Sequence, residues 1–164
     1  KLLLQRHEAF GQTSEWLFLD GFLRARVLQR LLLVRVMQPR RVIVCALADQ
    51  CRELEVLATA LYLSNVDSAI QLLAIGQPFD ELILVCEKIK PKALVLVSNQ
   101  APTAELPRRL NRLAMSLDCQ VLLAGDASDL AQESLAGSSI GCLGNEGVLM
   151  RQRLKQFLVG NLDT

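Results

Sequence analysis

Histidine occurs once, at His7, in a chain of 164 residues. That scarcity excludes a multi-His metal site built within the chain, and the one histidine lies too far in sequence from the later strand ends to be read as the base of a triad. Aromatic residues make up only 4% of the sequence, and none is interleaved with the basic residues. Single-stranded nucleic acid, which is held by base stacking, therefore lacks a recognition platform. No two cysteines stand in CxxC spacing. Cys45, Cys51, Cys86, Cys119 and Cys142 are odd in number and lie mostly in apolar stretches. They read as buried or free thiols of a reducing, cytoplasmic compartment, not as a disulfide framework. No secretory signal is visible, and the apolar run from Leu31 to Val34 is arginine-flanked and far too short to span a bilayer. Nor does one sign of charge dominate, since the net charge is +1. No global attraction to nucleic acid or to a membrane surface follows.

What is present is an apolar chain, 51% hydrophobic, long enough for one domain with a core and an appendage. The charge is unevenly placed. Residues 1 to 41 hold eight Lys/Arg against three acids, about +5, and residues 42 to 164 hold ten against fourteen, about −4. The chain starts at Lys1 in mid-pattern without an initiator Met, which we read as a fragment of a longer protein. Two regions are expected: a helical segment over 1–38, the end of a helical bundle, and an α/β domain over 40–164. Lys1 to Ala9 reads as a helix end and Gly11 to Ser14 as a turn, with Ser14 capping a long helix that runs to about Met37 and stops before Pro39. That helix carries apolar residues around so much of its circumference that it must be covered on two sides, by further helices or a second subunit.

The organising stretch runs from Arg41 to Asn65. Val42 to Leu47 is apolar without alternation, as in a parallel strand covered on both faces. Ala48 to Cys51 breaks the run. Leu54, Leu57, Ala58, Leu61 and Tyr62 then recur at helical spacing. The same strand-and-helix alternation continues, with strands predicted at 42–47, 69–74, 93–98, 120–124 and 140–143. Helices are predicted at about 51–64, 79–89, 103–117, 127–135 and 146–159. Short connections between such elements argue a doubly wound parallel sheet with right-handed crossovers. Five strands favour the flavodoxin-like order 2-1-3-4-5, whose switch point brings Ala48–Arg52 and Ser98–Pro102 to one crevice.

That crevice can be tested against known chemistries. Phosphate or FMN binding needs a Ser/Thr/Gly-rich first loop, and here the loop is Ala-Asp-Gln-Cys. A phosphoacceptor site needs an Asp after strand three and a Lys after strand five, where this sequence has Ser98 and no Lys. Asp126, Asp129 and Glu133 could form an acidic rim but read better as a solvated helix start, and Gly144-Asn145-Glu146-Gly147 could bind an anion at a helix N-terminus but reads better as a plain turn. Arg24, Arg26, Arg30 and Arg35 could meet DNA, yet on so apolar a helix they read better as arginines snorkelling from a packed surface.

One further pattern is more specific. Pro39 to Ala60, Leu73-Ala74-Ile75-Gly76-Gln77-Pro78 ahead of Phe79-Asp80-Glu81-Leu82, the strand ending at Ser98, and Gly125 together resemble the cobalamin-binding effector domains of MerR-type, light- and cobalamin-responsive transcription regulators. By that resemblance Ser98 would face the nucleotide tail of the cofactor, Gly125 would be one of two glycines after strand four, and the arginine-rich helix would be the last of a bundle capping the corrin. The first loop departs from the family. Where it carries an acidic residue, a cobalt-ligating His and a Gly three residues later, this sequence has Asp49 or Gln50, Arg52 and Glu55. A guanidinium stays protonated and cannot ligate cobalt. A one-residue shift would put Cys51 at the ligand position. Ala124 stands where the second glycine is expected.

The resulting expectation is a non-catalytic regulatory effector domain that senses a ligand or governs oligomerisation. Asp49, Cys51, Arg52, Ser98 and Gly125 are the candidate crevice residues, and neither a metal ligand nor a catalytic residue is assigned. Cobalamin enters by resemblance alone, with its His ligand absent. The expected partners are a second copy of the chain, a possible small molecule, and DNA through a preceding winged-helix domain; no membrane is expected. The rival readings are a corrinoid-carrying subunit of a methyltransferase or mutase, and a dimerisation module without ligand.

Overall fold

The computed structural model describes residues 11–35, 41–47, 51–64 and 69–160. Helix α1 (Gln12–Arg35) is followed by β1 (Arg41–Ala46), α2 (Glu53–Leu63), β2 (Ala69–Leu72), a 3-10 turn (Phe79–Glu81) leading into α3 (Leu82–Ile89), and β3 (Ala93–Val97). Then come α4 (Leu106–Met115), β4 (Gln120–Ala124), α5 (Asp126–Ala131), β5 (Gly141–Gly144) and α6 (Gly147–Gly160). The five strands form one all-parallel sheet in the order β2-β1-β3-β4-β5. This is the flavodoxin-like order that the strand count favours.

The unbroken apolar runs explain why helices lie on both faces. Val42 to Cys45 and all of β3 are fully buried, and alternate residues serve opposite cores. Val42, Val44, Val95 and Val97 face α1, α2 and α6, and Ile43, Cys45, Leu94 and Leu96 face α3, α4 and α5. A strand with apolar neighbours on both sides has no face for water, so continuous hydrophobicity replaces alternation.

On α2 the residues turned to the sheet are Val56, Leu57, Ala60 and Leu63. This corrects the face expected from Leu54, Ala58, Leu61 and Tyr62. The first three are half-buried and Tyr62 is exposed, because they sit on the flanks, beside α1 and α6. There the Tyr62 ring lies against Gly147 of α6, whose missing side chain makes room: a Cβ would come within 2.6 Å of the ring.

Other element ends differ from the sequence reading for local reasons. Ser14 lies inside α1 and does not cap it, since the first helical turn closes between the Glu15 N–H and the Gly11 carbonyl, 3.1 Å apart. β2 stops at Leu72, although the Leu73 N–H still reaches the Val44 carbonyl at 3.0 Å. α4 starts at Leu106, with Pro107 in its first turn where a missing N–H costs nothing. α5 ends at Ala131, whose carbonyl accepts both the Leu135 N–H and the Ser134 hydroxyl. The helix end expected at Lys1–Ala9 and the stop at Pro39 fall outside the described residues. None of the described helices is long and apolar enough to cross a membrane.

Helix α1 is covered on one side. Leu31 is buried and Val27 partly so, both in the core shared with α2 and α6, and Arg24 reaches Glu53 in the first turn of α2 at 2.6 Å and Asp20 at 2.8 Å. The Glu53 contact raises the Arg24 pKa above its ordinary value. Leu17, Phe18, Phe22, Leu32 and Leu33 remain exposed. The expected second cover is not supplied by the described residues.

The doubly covered sheet makes a direct prediction for stability. Truncating Leu94 to Ala removes a fully buried side chain and costs about 2 to 5 kcal/mol. Leu84→Ala, on an exposed position of α3, stays within about 0.5 kcal/mol of the parent. Urea unfolding of the two variants beside the parent chain measures the contrast.

Candidate functional site

The carboxyl edge of the sheet is where an open α/β domain binds ligands. β1 and β3 are adjacent there, and the Leu47 N–H continues their ladder by donating to the Val97 carbonyl at 2.9 Å. The switch point is therefore where the strand order places it. Asp49 lies outside the described residues. Cys51 is not at the mouth of the crevice but buried in the core beneath α2, and burial, helped by the charge of Glu55, pushes its thiol up to about 11. Arg52 occupies the N-cap position of α2 in extended conformation, makes no side-chain cap and is exposed. Its carbonyl accepts the Glu55 N–H at 3.0 Å.

Ser98 and Gly125 are brought together, for a reason internal to the fold. Gly125 has φ +90°, and a Cβ there would come within 2.4 Å of the Ser98 carbonyl oxygen and 2.6 Å of Asn99 Oδ1. Only glycine tolerates both the left-handed backbone and the approach. The contact lets the loops after β3, β4 and β5 satisfy one another. Ser98 N–H donates to the Ala124 carbonyl at 3.1 Å, and the Ser98 carbonyl accepts the Ala127 N–H at 3.0 Å. Asn99 Oδ1 accepts the Asp126 N–H at 3.0 Å, and Gly125 N–H donates to the Gly144 carbonyl at 2.9 Å. Ser128 Oγ accepts the Gly144 N–H at 2.9 Å, and Asn145 Nδ2 donates to the Asp126 carboxylate. The Ser98 hydroxyl accepts the Gln100 N–H at 3.2 Å. The amides of Asp126 and Ala127, which an anion at this loop would need, are already engaged by Asn99 and Ser98. Asp126 is a loop-binding residue and not part of a free acidic rim.

Open space at this edge lies one strand over. A cavity of about 270 Å³ is bounded by Leu47 after β1, by Gly76, Gln77, Pro78 and Phe79 before α3, and by Arg109 of α4. It falls just below the roughly 300 to 1,000 Å³ of pockets that enclose drug-sized ligands. The Arg109 guanidinium stacks over the Phe79 ring, 4.5 Å from its centroid, in a cation–π contact that favours holding the arginine at the wall. Sequence reasoning singled out Gly76-Gln77-Pro78 but missed Arg109. The signal available for it was the amphipathic α4, in which Leu106, Leu110 and Leu113 are buried while Arg108, Arg109 and Arg112 line the outer side.

His7 lies outside the described residues. Among the described residues no three His, Cys, Asp or Glu side chains converge as a metal site. No known protein-family model matches the chain, and no curated protein matches it in sequence.

The loop network can be broken at one atom. Gly125→Ala adds a methyl that must displace the Ser98 carbonyl and holds an alanine at φ +90°, for a loss of about 1 to 3 kcal/mol or more. Asn145→Ala, at an exposed position, costs less than Gly125→Ala. Chemical denaturation ranks the two, and an equal cost would show that the close approach is not what holds the loops.

Proposed function

We propose that this chain is a regulatory effector domain of a MerR-type transcription regulator, similar to the cobalamin-binding domains of that family but working without histidine-ligated cobalt. The observation that carries the reading is the position of α1. Arg24 is hooked to Glu53 at the carboxyl edge and Leu31 is sunk in the core below it, so α1 descends alongside α2. Its upstream turns, with Leu17, Phe18 and Phe22 exposed by 62%, 79% and 54%, stand on the side of the sheet where ligands bind. A helix so placed can report events at the crevice to a partner surface.

The crevice residues do not fit the family's cobalt chemistry. Arg52 is a permanent cation at the position of the ligating His, and the raised Cys51 thiol is buried under α2, not aimed at the crevice. Glu55 stands where a glycine would leave room, and Asn99 fills the space beside Gly125. A corrinoid carrier, which depends on its lower ligand, is disfavoured on the same grounds. A ligand-free dimerisation module is the second reading, favoured by the self-satisfied loops after β3, β4 and β5. A sensor would instead use the smaller cavity beside Arg109, whose cation suits an anionic or carbonyl-bearing group.

Two measurements test the proposal. In sedimentation at micromolar concentration the chain should associate, and Phe18→Ser with Phe22→Ser should shift it toward monomer; a monodisperse parent monomer rejects the association. Gel filtration after mixing with adenosyl-, methyl- or hydroxocobalamin should return protein without a histidine-type visible spectrum. Comigrating cobalamin with that spectrum would overturn the reading of Arg52.

A further inference from the structure

At the amino edge of the sheet, away from the crevice, two cysteines meet. Cys86 is in the last turn of α3 and Cys119 immediately precedes β4. Both belong to the core on the α3–α4–α5 face, and both line one cavity of about 500 Å³ with Glu87, Lys90, Lys92 and Asp118. The connector Lys90-Pro91-Lys92 holds both backbones. The Cys86 carbonyl accepts the Lys90 N–H at 2.7 Å, with Lys90 in the left-handed conformation that ends α3, and the Lys92 carbonyl accepts the N–H of Gln120, the neighbour of Cys119, at 3.2 Å. Neither cysteine is free to drift from the other.

The thiols also differ in kind. The Cys119 side chain interacts with the Cys86 thiol across the shared cavity, which draws the Cys86 pKa below its ordinary value against the opposing effects of burial and Cys45. The same interaction raises Cys119, and burial and the charges of Cys86 and Asp118 add to it. Lys90, Lys92, Glu87 and Asp118 stand together on the cavity rim, so neither sign of charge dominates there. The other cysteines are differently placed. Cys45 is fully buried under the same face, with burial pushing its thiol up to about 12, and Cys51 lies in the core on the opposite side of the sheet. Cys142 is also raised by burial and its hydrogen-bond partner is Ser128.

We propose that Cys86 and Cys119 are a peroxide-responsive dithiol, which a hydroperoxide converts to an intramolecular disulfide tying the last turn of α3 to the start of β4. The Cys86 thiolate sulfur attacks one oxygen of hydrogen peroxide. The O–O bond breaks, and the departing hydroxide takes up the proton that Cys86 released, giving water and a Cys86 sulfenic acid. The Cys119 sulfur then attacks the sulfenic sulfur, so that the S–S bond forms and the S–O bond breaks, and hydroxide leaves with the Cys119 proton as a second water. Two thiols and one peroxide give one disulfide and two waters, and the two electrons lost by sulfur reduce the peroxide oxygens. The new bond closes a loop between positions 33 apart (119 − 86), which restricts the unfolded chain.

The full chain is treated with equimolar hydrogen peroxide, the remaining thiols are blocked, and peptides are mapped without reductant. The expected result is a linked Cys86–Cys119 peptide, a fall from five free thiols to three (5 − 2), and a thermal midpoint higher by about 5 to 10 °C, reversed by dithiothreitol. In Cys119→Ser the same treatment should leave a dimedone-reactive sulfenic acid on Cys86 and no rise in the midpoint. Five thiols retained, a linkage through Cys45, or an intermolecular linkage in the parent chain would each overturn the proposal. The mapping uses the unmodified protein, so it decides the matter even if a variant fails to fold.

Discussion

Everything in this fold follows from central strands that no water can reach. β3 is buried along its whole length, β1 from Val42 to Cys45, and β4 from Val121 onward. Each backbone amide there must be paired within the sheet, and each side chain must meet an apolar partner above or below. Parallel pairing then requires crossover helices, and right-handed crossovers in the order β2-β1-β3-β4-β5 put α2 and α6 on one face and α3, α4 and α5 on the other. With both faces used for packing, only the two edges where strands enter and leave are open to chemistry.

The two edges solve the same problem differently. At the carboxyl edge the loops after β3, β4 and β5 must satisfy polar groups that the sheet no longer pairs, and they do so among themselves through Ser98, Asn99, Asp126, Ser128 and Asn145. Gly125 is what lets the loops close in this way, because any side chain would strike the Ser98 carbonyl. A loop set saturated from within has little left to offer a ligand, and the open space at this edge lies instead beside Arg109 and the turn before α3. At the amino edge the connector between α3 and β3 holds Cys86 and Cys119 in one cavity wall. The chemistry that survives there belongs to sulfur.

The sequence makes the sheet legible because its signal is physical and local. Val42 to Leu47 and Ala93 to Val97 are too apolar for any half-exposed element, and the segments between successive strands are long enough to hold the crossover helix that parallel pairing requires. Element ends were harder to read, since they depend on bonds between distant residues. The pairing that carries β2 one N–H further, from Leu73 to the Val44 carbonyl, joins residues far apart in sequence, while the end of α5, where the Ala131 carbonyl accepts Leu135 and Ser134, is a local affair. The candidate site divides in the same way. Gly125 is visible as a glycine at a strand exit, but its reason, the Ser98 carbonyl 2.4 Å from a would-be Cβ, is a tertiary fact. Cys51 beside Arg52 reads as part of the crevice loop, and only the packing of α2 shows that it belongs to the core. Arg109 looks like any outward arginine until α4 is laid against Phe79.

The arginine-rich start of the chain shows why composition alone misleads. Six arginines between Arg24 and Arg41 suggest an anionic partner, yet the first of them is neutralised by Asp20 and Glu53, and Arg26 lies beside the Phe22 ring, 6.0 Å from its centroid. An exposed ion pair is a weak, solvent-screened contact, too weak to hold a long helix in place. Leu31 and Val27, sunk among α2 and the sheet, supply the anchoring, and Arg24 fixes the register in which they dock. The part of α1 upstream of that hook is bound by neither contact, and its exposed phenylalanines gain from any apolar surface that meets them. Position and stickiness are thus divided between two sides of a single helix: Leu31 and Val27 set where it sits, and Leu17, Phe18, Phe22, Leu32 and Leu33 stay uncovered by the described residues.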